Sequence, residues 1–250
     1  FYYYYFFFHF TLVAGLGFIG NIDEVPMYFD MCAKTTYCPA GSKYVEFTNT
    51  GNEKLRFTVV LAGLDNGRLL KPMIIWKNLK HVPAICNQFK DRIYFGATMG
   101  GSMTSQLYLG WLRDVWEKRR TSYRLSGGRR RIKPILVSDA AKCHHSAAVN
   151  AYVEGKDYRH MKLDGGMTPL MQPCDTHWVI PFKRRYLQLY QDWIQNGRMH
   201  YTQKGNLQKM GYDKVCEFVL EAIKELTPAL VRKSFKQCGF NGEDTELWST

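Results

Sequence analysis

Apolar, β-branched runs come first along this chain and helical stripes come last. Residues 11–25, 43–48, 55–63 and 71–77 are rich in apolar and β-branched side chains and read as strands, the first leading to Asp23. Asn49-Thr50-Gly51-Asn52 and Asp65-Asn66-Gly67 are turn signals, and the second lies between two runs as in a hairpin. The period changes over 107–118, where Tyr108, Trp111, Leu112, Val115 and Trp116 recur at helical intervals. Ile135–Ser138 returns to strand, 146–154 is a short helix, and 159–163 is a further strand. Phe182, Tyr186, Leu189, Tyr190 and Trp193 make a long helical stripe, and Pro181 either starts this helix or kinks a turn begun at Asp175. Val215, Phe218, Val219, Ala222 and Ile223 form another amphipathic helix. Thr227-Pro228 reads as the cap and first position of a last helix, and Gly239 as its stop. The Trp and Tyr stripes are read as core rather than as base-stacking surfaces. This order, strands and then alternating helix and strand and then helices, predicts an α/β fold: a mixed central sheet flanked by helices.

Composition narrows the partner more than the fold. The 250 residues suffice for a substantial core, and 46% hydrophobic content is ordinary for a globular chain. A net charge of +12 favours a polyanionic partner, foremost a nucleic acid. The basic residues cluster at Lys118-Arg119-Arg120, at Arg129-Arg130-Arg131 with Lys133, and at Lys183-Arg184-Arg185. Seven scattered cysteines without a C-x-x-C pair fit a reducing compartment. Cys143, His144, His145 and Cys174 can be drawn as a zinc site, but their spacing matches no common zinc module. No charge appears from Phe1 to Gly20, yet the basic start of a signal peptide and the flanking charges of a membrane anchor are both missing. The opening FYYYYFFFHF is read as a strand lead-in or as sequence foreign to the domain.

Three aspartates carry the candidate chemistry. Asp23 and Asp139 each close an apolar run and are expected at strand ends, while Asp175 opens a helical segment. Carboxylates brought together from such places hold hard divalent cations, and Mg²⁺ needs only one or two of them plus substrate phosphates. Singly, each Asp is also an ordinary turn residue or helix cap. Glu24 should point to the opposite side of its strand from Asp23 and is not counted as a ligand. Gly15-Leu16-Gly17-Phe18-Ile19-Gly20 matches a dinucleotide fingerprint, but Pro26 interrupts the helix that must follow and Ala40 stands where the acid is needed. Gly96, Gly100 and Gly101 lack the Gly-Lys-Ser/Thr ending of a phosphate loop.

The words around these aspartates add a resemblance. IGNIDEVPMYFD, NTGNEKLRFTVVLAGLDNGRLLKPMIIWK, PILVSDAAKCHH, LDGGMTPLMQPCDTHWVIPFKRRYLQLYQDW and the closing SFKQCGFNGEDTELW resemble, in family order, the DDE-type transposase domain of the pogo/Tigger/jerky group. That group includes the relatives of centromere protein B. The first acid of the family lies in an N-x-D-E word, here Asn21-Ile22-Asp23-Glu24, and the third in a Q-P-x-D word, here Gln172-Pro173-Cys174-Asp175. The resemblance runs from about Phe18 to Trp248, so residues 1–17 are read as an aromatic-rich leader and 18–250 as the catalytic domain. Residues 140–174 separate the second and third acids, a separation of the kind this superfamily uses. Ala140, Cys174 and Val179-Ile180 depart from the family's usual residues.

The resemblance implies a ribonuclease-H-like fold and metal-dependent phosphoryl transfer on DNA, in which water cuts a strand and the freed 3′-hydroxyl attacks target DNA. It implies that Asp23 and Asp139 share two Mg²⁺ or Mn²⁺ ions and that Asp175 completes the second. His144 stands where the family often has a histidine, as a donor that steadies the second acid, a DNA-backbone contact, or simply a polar residue at a helix start. Arg129, Arg130, Arg131, Lys133, Lys183, Arg184 and Arg185 are the further candidates for DNA contact. The expected partners are DNA and a second copy of the chain, with no membrane and no small-molecule cofactor, in the nucleus. The family's usual helix-turn-helix module is not seen ahead of the first strand. The alternative reading is a transposon-derived nucleic-acid-binding protein that keeps the fold without turnover.

Overall fold

The computed structural model describes residues 17–31, 51, 54–119, 133–196, 201–203 and 207–240. The chain forms β1 (Ile19–Tyr28), β2 (Arg56–Leu64), β3 (Met73–Lys77), β4 (Tyr94–Thr98), β5 (Ile135–Ser138) and β6 (Arg159–Lys162), in one sheet of order β4-β3-β2-β1-β5-β6. The β1, β2 and β3 strands are antiparallel neighbours, β5 runs parallel to β1, and β6 parallel to β5. That is the ribonuclease-H-like arrangement, with β4 added parallel to β3 at the edge. The hairpin expected at Asp65-Asn66-Gly67 joins β2 to β3. Its tight return needs Gly67 at φ 93°, and the Gly67 N–H donates to Leu64 O at 2.9 Å.

Among the described residues, six α-helices flank the sheet: α1 (Ser105–Trp111), α2 (Ala147–Glu154), α3 (Thr168–Met171), α4 (Val179–Asn196), α5 (Tyr212–Ala222) and α6 (Pro228–Gln237). Strand alternation sorts the core into two layers. Ile19, Val25, Phe57, Val59, Ile74 and Trp76 share one layer with Phe182 and Tyr186 of α4, Val219 of α5 and Phe235 of α6. Ile22, Val60, Ala62 and Ile75 face the other way, onto Tyr108 and Trp111 of α1 and Val149 of α2. The helical aromatic stripes are core, as read from the sequence: Trp111, Trp116, Trp178 and Tyr186 are fully buried.

Two expectations about strands are corrected. Asp23 does not end a strand, because β1 continues through Pro26 to Tyr28. The Phe18 carbonyl accepts from Ile135 and the Ile19 carbonyl from Asp65, so even-numbered residues of β1 turn their polar groups toward β5 and odd-numbered ones toward β2. The pairing with β5 stops at Asn21, so the missing N–H of Pro26 faces an edge where no ladder bond is lost. The β4 strand was not anticipated; it forms because β3 offers a free edge. The apolar run at 43–48 and the cluster Arg129-Arg130-Arg131 lie outside the described residues.

Candidate active site

Asp23 lies in the middle of β1 on the face covered by α4, with only 7% of its surface exposed. Asn21 pairs with Val137 in the parallel register of β1 and β5. Asp139 follows directly after β5, and among the described residues it forms no group of three close donor atoms with Asp23 and Asp175. Asp175 arrives from the chain that leads into α4, and its charge and hydrogen bond reach the Asp23 carboxyl. Burial first, then the negative charges of Asp175 and Glu24, push the Asp23 carboxyl up to about 8. At neutral pH and without a cation, the Asp23 carboxyl therefore keeps its proton.

The turn that carries Asp175 is wide. The Val179 N–H donates to the Cys174 carbonyl, five residues back, making Cys174–Trp178 a π-helical turn rather than the start of an α-helix. Pro181 gives a physical cause: it has no N–H, and its ring would crowd the His177 carbonyl in a regular helix. So Pro181 kinks a turn already under way, the second of the two expected alternatives.

Two residues that carried no assigned role hold this turn against β1. The Asn21 amide donates to Val137 O at 3.2 Å and to Gln172 Oε1 at 3.3 Å, and its Oδ1 accepts from the Cys174 N–H at 3.1 Å. Both side chains are fully buried. Their only signal in the sequence was their place in the words that also hold Asp23 and Asp175.

Asp139 has a different environment. Its Oδ1 accepts from His144 Nδ1 at 2.8 Å and from the Ala141 N–H at 3.1 Å. The hydrogen bond from His144 is the main reason its carboxyl lies below the usual range. The other His144 nitrogen, Nε2, meets Glu24 Oε1 at 2.9 Å. Burial pulls the His144 imidazole down, but hydrogen bonds to Asp139, Cys143 and Glu24 outweigh it and push it up to about 12. Two carboxylate acceptors at opposite ends of one ring call for a doubly protonated imidazolium. His144 has no exposed surface, so a direct DNA contact, one of its expected roles, is corrected: both ring nitrogens and all of its surface are already engaged.

Glu24 turns away from Asp23 as expected, but it is joined to the site from behind the sheet through His144. The drawn zinc set does not gather. His145 Nε2 lies against Ser138 Oγ at 3.1 Å, and Cys174 is buried in the α4 layer. The group that does come together is Glu24, Cys143 and His144, whose donor atoms lie within 4.8 Å of one another.

The basic candidates are dispersed. Lys133 Nζ donates to Lys156 O at 3.2 Å, near the start of β5 and so away from Asp139 at its other end. Arg184 is exposed on α4, while Arg185 faces Glu221 and Glu225, each at 3.9 Å. Among the described residues, no helix is long and apolar enough to cross a membrane.

Comparison with known proteins bears on the family and the fold. Two sequence relatives are the Mus musculus and Homo sapiens proteins described as "Pogo transposable element with KRAB domain", each 26% identical over 234 residues. Each alignment covers 92% of this chain and 37% of the relative, so the chain spans little more than a third of their length. Among solved structures, the Mos1 strand transfer complex matches with a TM-score of 0.53 at 13% identity, over 91% of this chain and 53% of that one. The mariner Mos1 paired end complex with Mg matches with a TM-score of 0.53 at 12% identity, over 90% of this chain and 53% of that one. At such identity the likeness speaks for the fold, which is ribonuclease-H-like. The sequence model of the DDE superfamily endonucleases matches residues 54–235, most of the chain, and the chain belongs to that family.

Proposed function

We propose that residues 18–250 form a transposase-type catalytic domain that cuts and joins DNA strands with Mg²⁺ or Mn²⁺ held by Asp23, Asp139 and Asp175. The observation that carries this reading is the approach of Asp175 to the buried Asp23: two carboxyl groups from elements far apart in sequence, close enough that the charge of Asp175 helps to hold the Asp23 carboxyl well above its usual range. Structure rarely keeps such a pair for stability, since like charges in a buried place repel. A divalent cation removes that repulsion, and the donor set of carboxylate oxygens is the one hard cations prefer. Asp139 fits the same role. Its Oδ1 is engaged by His144 and Ala141, while Oδ2 has no hydrogen-bond partner among the described residues and the side chain is 31% exposed.

Asp23, Asp139 and Asp175 would hold the divalent cations, which when bound would supply positive charge to the reacting phosphodiester. The rest falls to the chain itself. Asp23 would have to lose its proton to hold a cation. Asn21 and Gln172 keep the Asp175 turn against β1, and the imidazolium of His144 orients Asp139. Lys183 and Arg184 of α4 neutralise DNA phosphates, as do Arg129, Arg130 and Arg131, which lie outside the described residues. Support for DNA as substrate comes from the transposon relatives and the +12 charge. A two-fold homodimer would let one assembly hold two DNA ends. Chemistry on DNA favours a nuclear location.

The test joins binding to turnover. Mn²⁺ should raise the melting temperature of the parent protein, by an amount equal to about 2.7 kcal/mol of stability at a hundredfold excess over Kd. Asp139→Asn should respond much less and should not nick supercoiled DNA. Equal stabilisation of both proteins would remove Asp139 from the ligand set. A parent that binds Mn²⁺ but never nicks DNA would instead favour a DNA-binding protein without turnover.

A further inference from the structure

We propose that Glu24 is a positioning residue for the metal centre, acting on Asp139 through His144 from the opposite face of the sheet. The inference rests on the metal-binding reading above and extends it to a residue outside the three aspartates. Three observations carry it. Adjacent residues of β1 point to opposite faces, so Glu24 cannot join Asp23 directly, yet its carboxylate ends 2.9 Å from His144 Nε2. The far nitrogen of the same ring donates to Asp139 Oδ1 at 2.8 Å, so one rigid ring spans the sheet edge between two acids. His144 is fully buried and packs against Tyr108 in a tilted arrangement, with ring centroids 4.6 Å apart, which restricts the imidazole.

The consequence is directional. With Oδ1 held by His144 and the Ala141 N–H, rotation of the Asp139 carboxylate is stopped and Oδ2 is the oxygen left for a cation. Glu24 fixes the ring from the other end; without it, Nε2 would be a buried donor with no acceptor and the ring would be drawn to another partner. The proximity of Glu24, Cys143 and His144 invites a second metal site, but both nitrogens of His144 are committed to carboxylate oxygens, so the ring serves as a donor. Outer hydrogen-bond partners of this kind commonly change metal affinity by about 10–100-fold when removed.

The experiment measures Mn²⁺ binding from the electron paramagnetic resonance signal of the free ion, at fixed pH and without DNA. It compares the parent with Glu24→Gln, Glu24→Ala, His144→Asn and the Glu24→Ala/His144→Asn double variant. Glu24→Ala should weaken binding about 10–100-fold. Glu24→Gln should weaken it less, because its amide oxygen still accepts from Nε2. In the His144→Asn background, removal of Glu24 should add nothing further, since the path through the ring is already gone. A residue that merely supported the fold would lower the melting temperature and leave the affinity of the folded protein unchanged; that result overturns the proposal while the three-aspartate reading stands. Additive losses in the double variant would also overturn it, because Glu24 would then act on the ion without His144. If Glu24→Ala does not fold, an unchanged affinity in Glu24→Gln overturns the proposal. A parent that binds no Mn²⁺ overturns both readings together.

Discussion

The raised carboxyl of Asp23 makes a prediction that belongs to a single residue. The Asp23 carboxyl is raised from 3.8 to about 8, so between those values the folded protein holds a proton that the unfolded chain has released. Stability falls with rising pH wherever the native state binds more protons. This contribution is therefore complete below about pH 4 and lost as pH passes through about 8. Melting temperatures of the metal-free parent and of Asp23→Asn, measured from pH 4 to pH 9, should converge at low pH, and the variant should become relatively more stable as pH rises. Parallel curves would mean that Asp23 ionises like an exposed carboxyl. Below about pH 8 a bound cation must displace this proton, so apparent Mn²⁺ affinity in the parent should climb about tenfold per pH unit. The Asn21 amide gives a second prediction at this scale. Asn21→Ala leaves the Cys174 N–H and the Gln172 amide without their buried partner, at a cost of about 1–3 kcal/mol in denaturant unfolding. It should also weaken Mn²⁺ binding, because the turn that carries Asp175 loses its tie to β1.

At the scale of elements, the contact between β1 and the chain after α1 is set by one glycine. A Cβ on Gly20 would stand 2.7 Å from Trp116 Cη2 and 3.2 Å from Leu64 Cδ2. The Trp116 ring cannot retreat easily: it is fully buried, and the Arg119 guanidinium lies over it at 3.3 Å from its centroid. Gly20→Ala should therefore cost about 1–3 kcal/mol, read as a shift in the denaturation midpoint. A neutral result would mean that the π-helical turn Leu112–Trp116, which follows α1, gives way under the ring. This glycine belongs to the G-x-G-x-x-G word, so its presence in the sequence reflects packing of Trp116. Elements with a strong period or a chemical cap were legible: β5 has the expected bounds, Ser146 caps α2 by accepting from Val149, and Thr227 caps α6 by accepting from Leu230. The end of β1 was not, because passage through Pro26 depends on where β5 stops pairing. Nor was β4, a short strand holding a glycine that exists only because β3 has an open edge. In the site, the words of the sequence singled out the three carboxylates as candidates. The ties that aim them could not be read, since Asn21 meets Gln172, and Glu24 meets His144, only once the sheet is formed.

For the whole molecule, the charge of +12 must be divided between groups that meet DNA and groups already engaged within the fold. Lys118 lies 3.1 Å from Asp114, Lys133 donates to Lys156 O, and Arg185 sits 3.9 Å from both Glu221 and Glu225. Arg184 is exposed one residue away on the same helix. Each phosphate contact made to duplex DNA steepens the dependence of log affinity on log salt by about 0.9. Affinity for a random-sequence duplex should therefore be weak and fall steeply with salt. Arg184→Ala should flatten the slope more than Arg185→Ala, whose guanidinium is already shared by two carboxylates. Replacing Arg129, Arg130 and Arg131 together should flatten it by up to about 2.7, because a run of three arginines in a glycine-flanked segment can follow a phosphate backbone. Binding titrations from low to physiological salt decide the matter. If the triple variant keeps the parent slope, that cluster faces solvent and the DNA path must run along α4. If Arg184→Ala and Arg185→Ala change the slope equally, the acids of α5 and the turn after it do not hold Arg185, and the helix presents both arginines to the DNA.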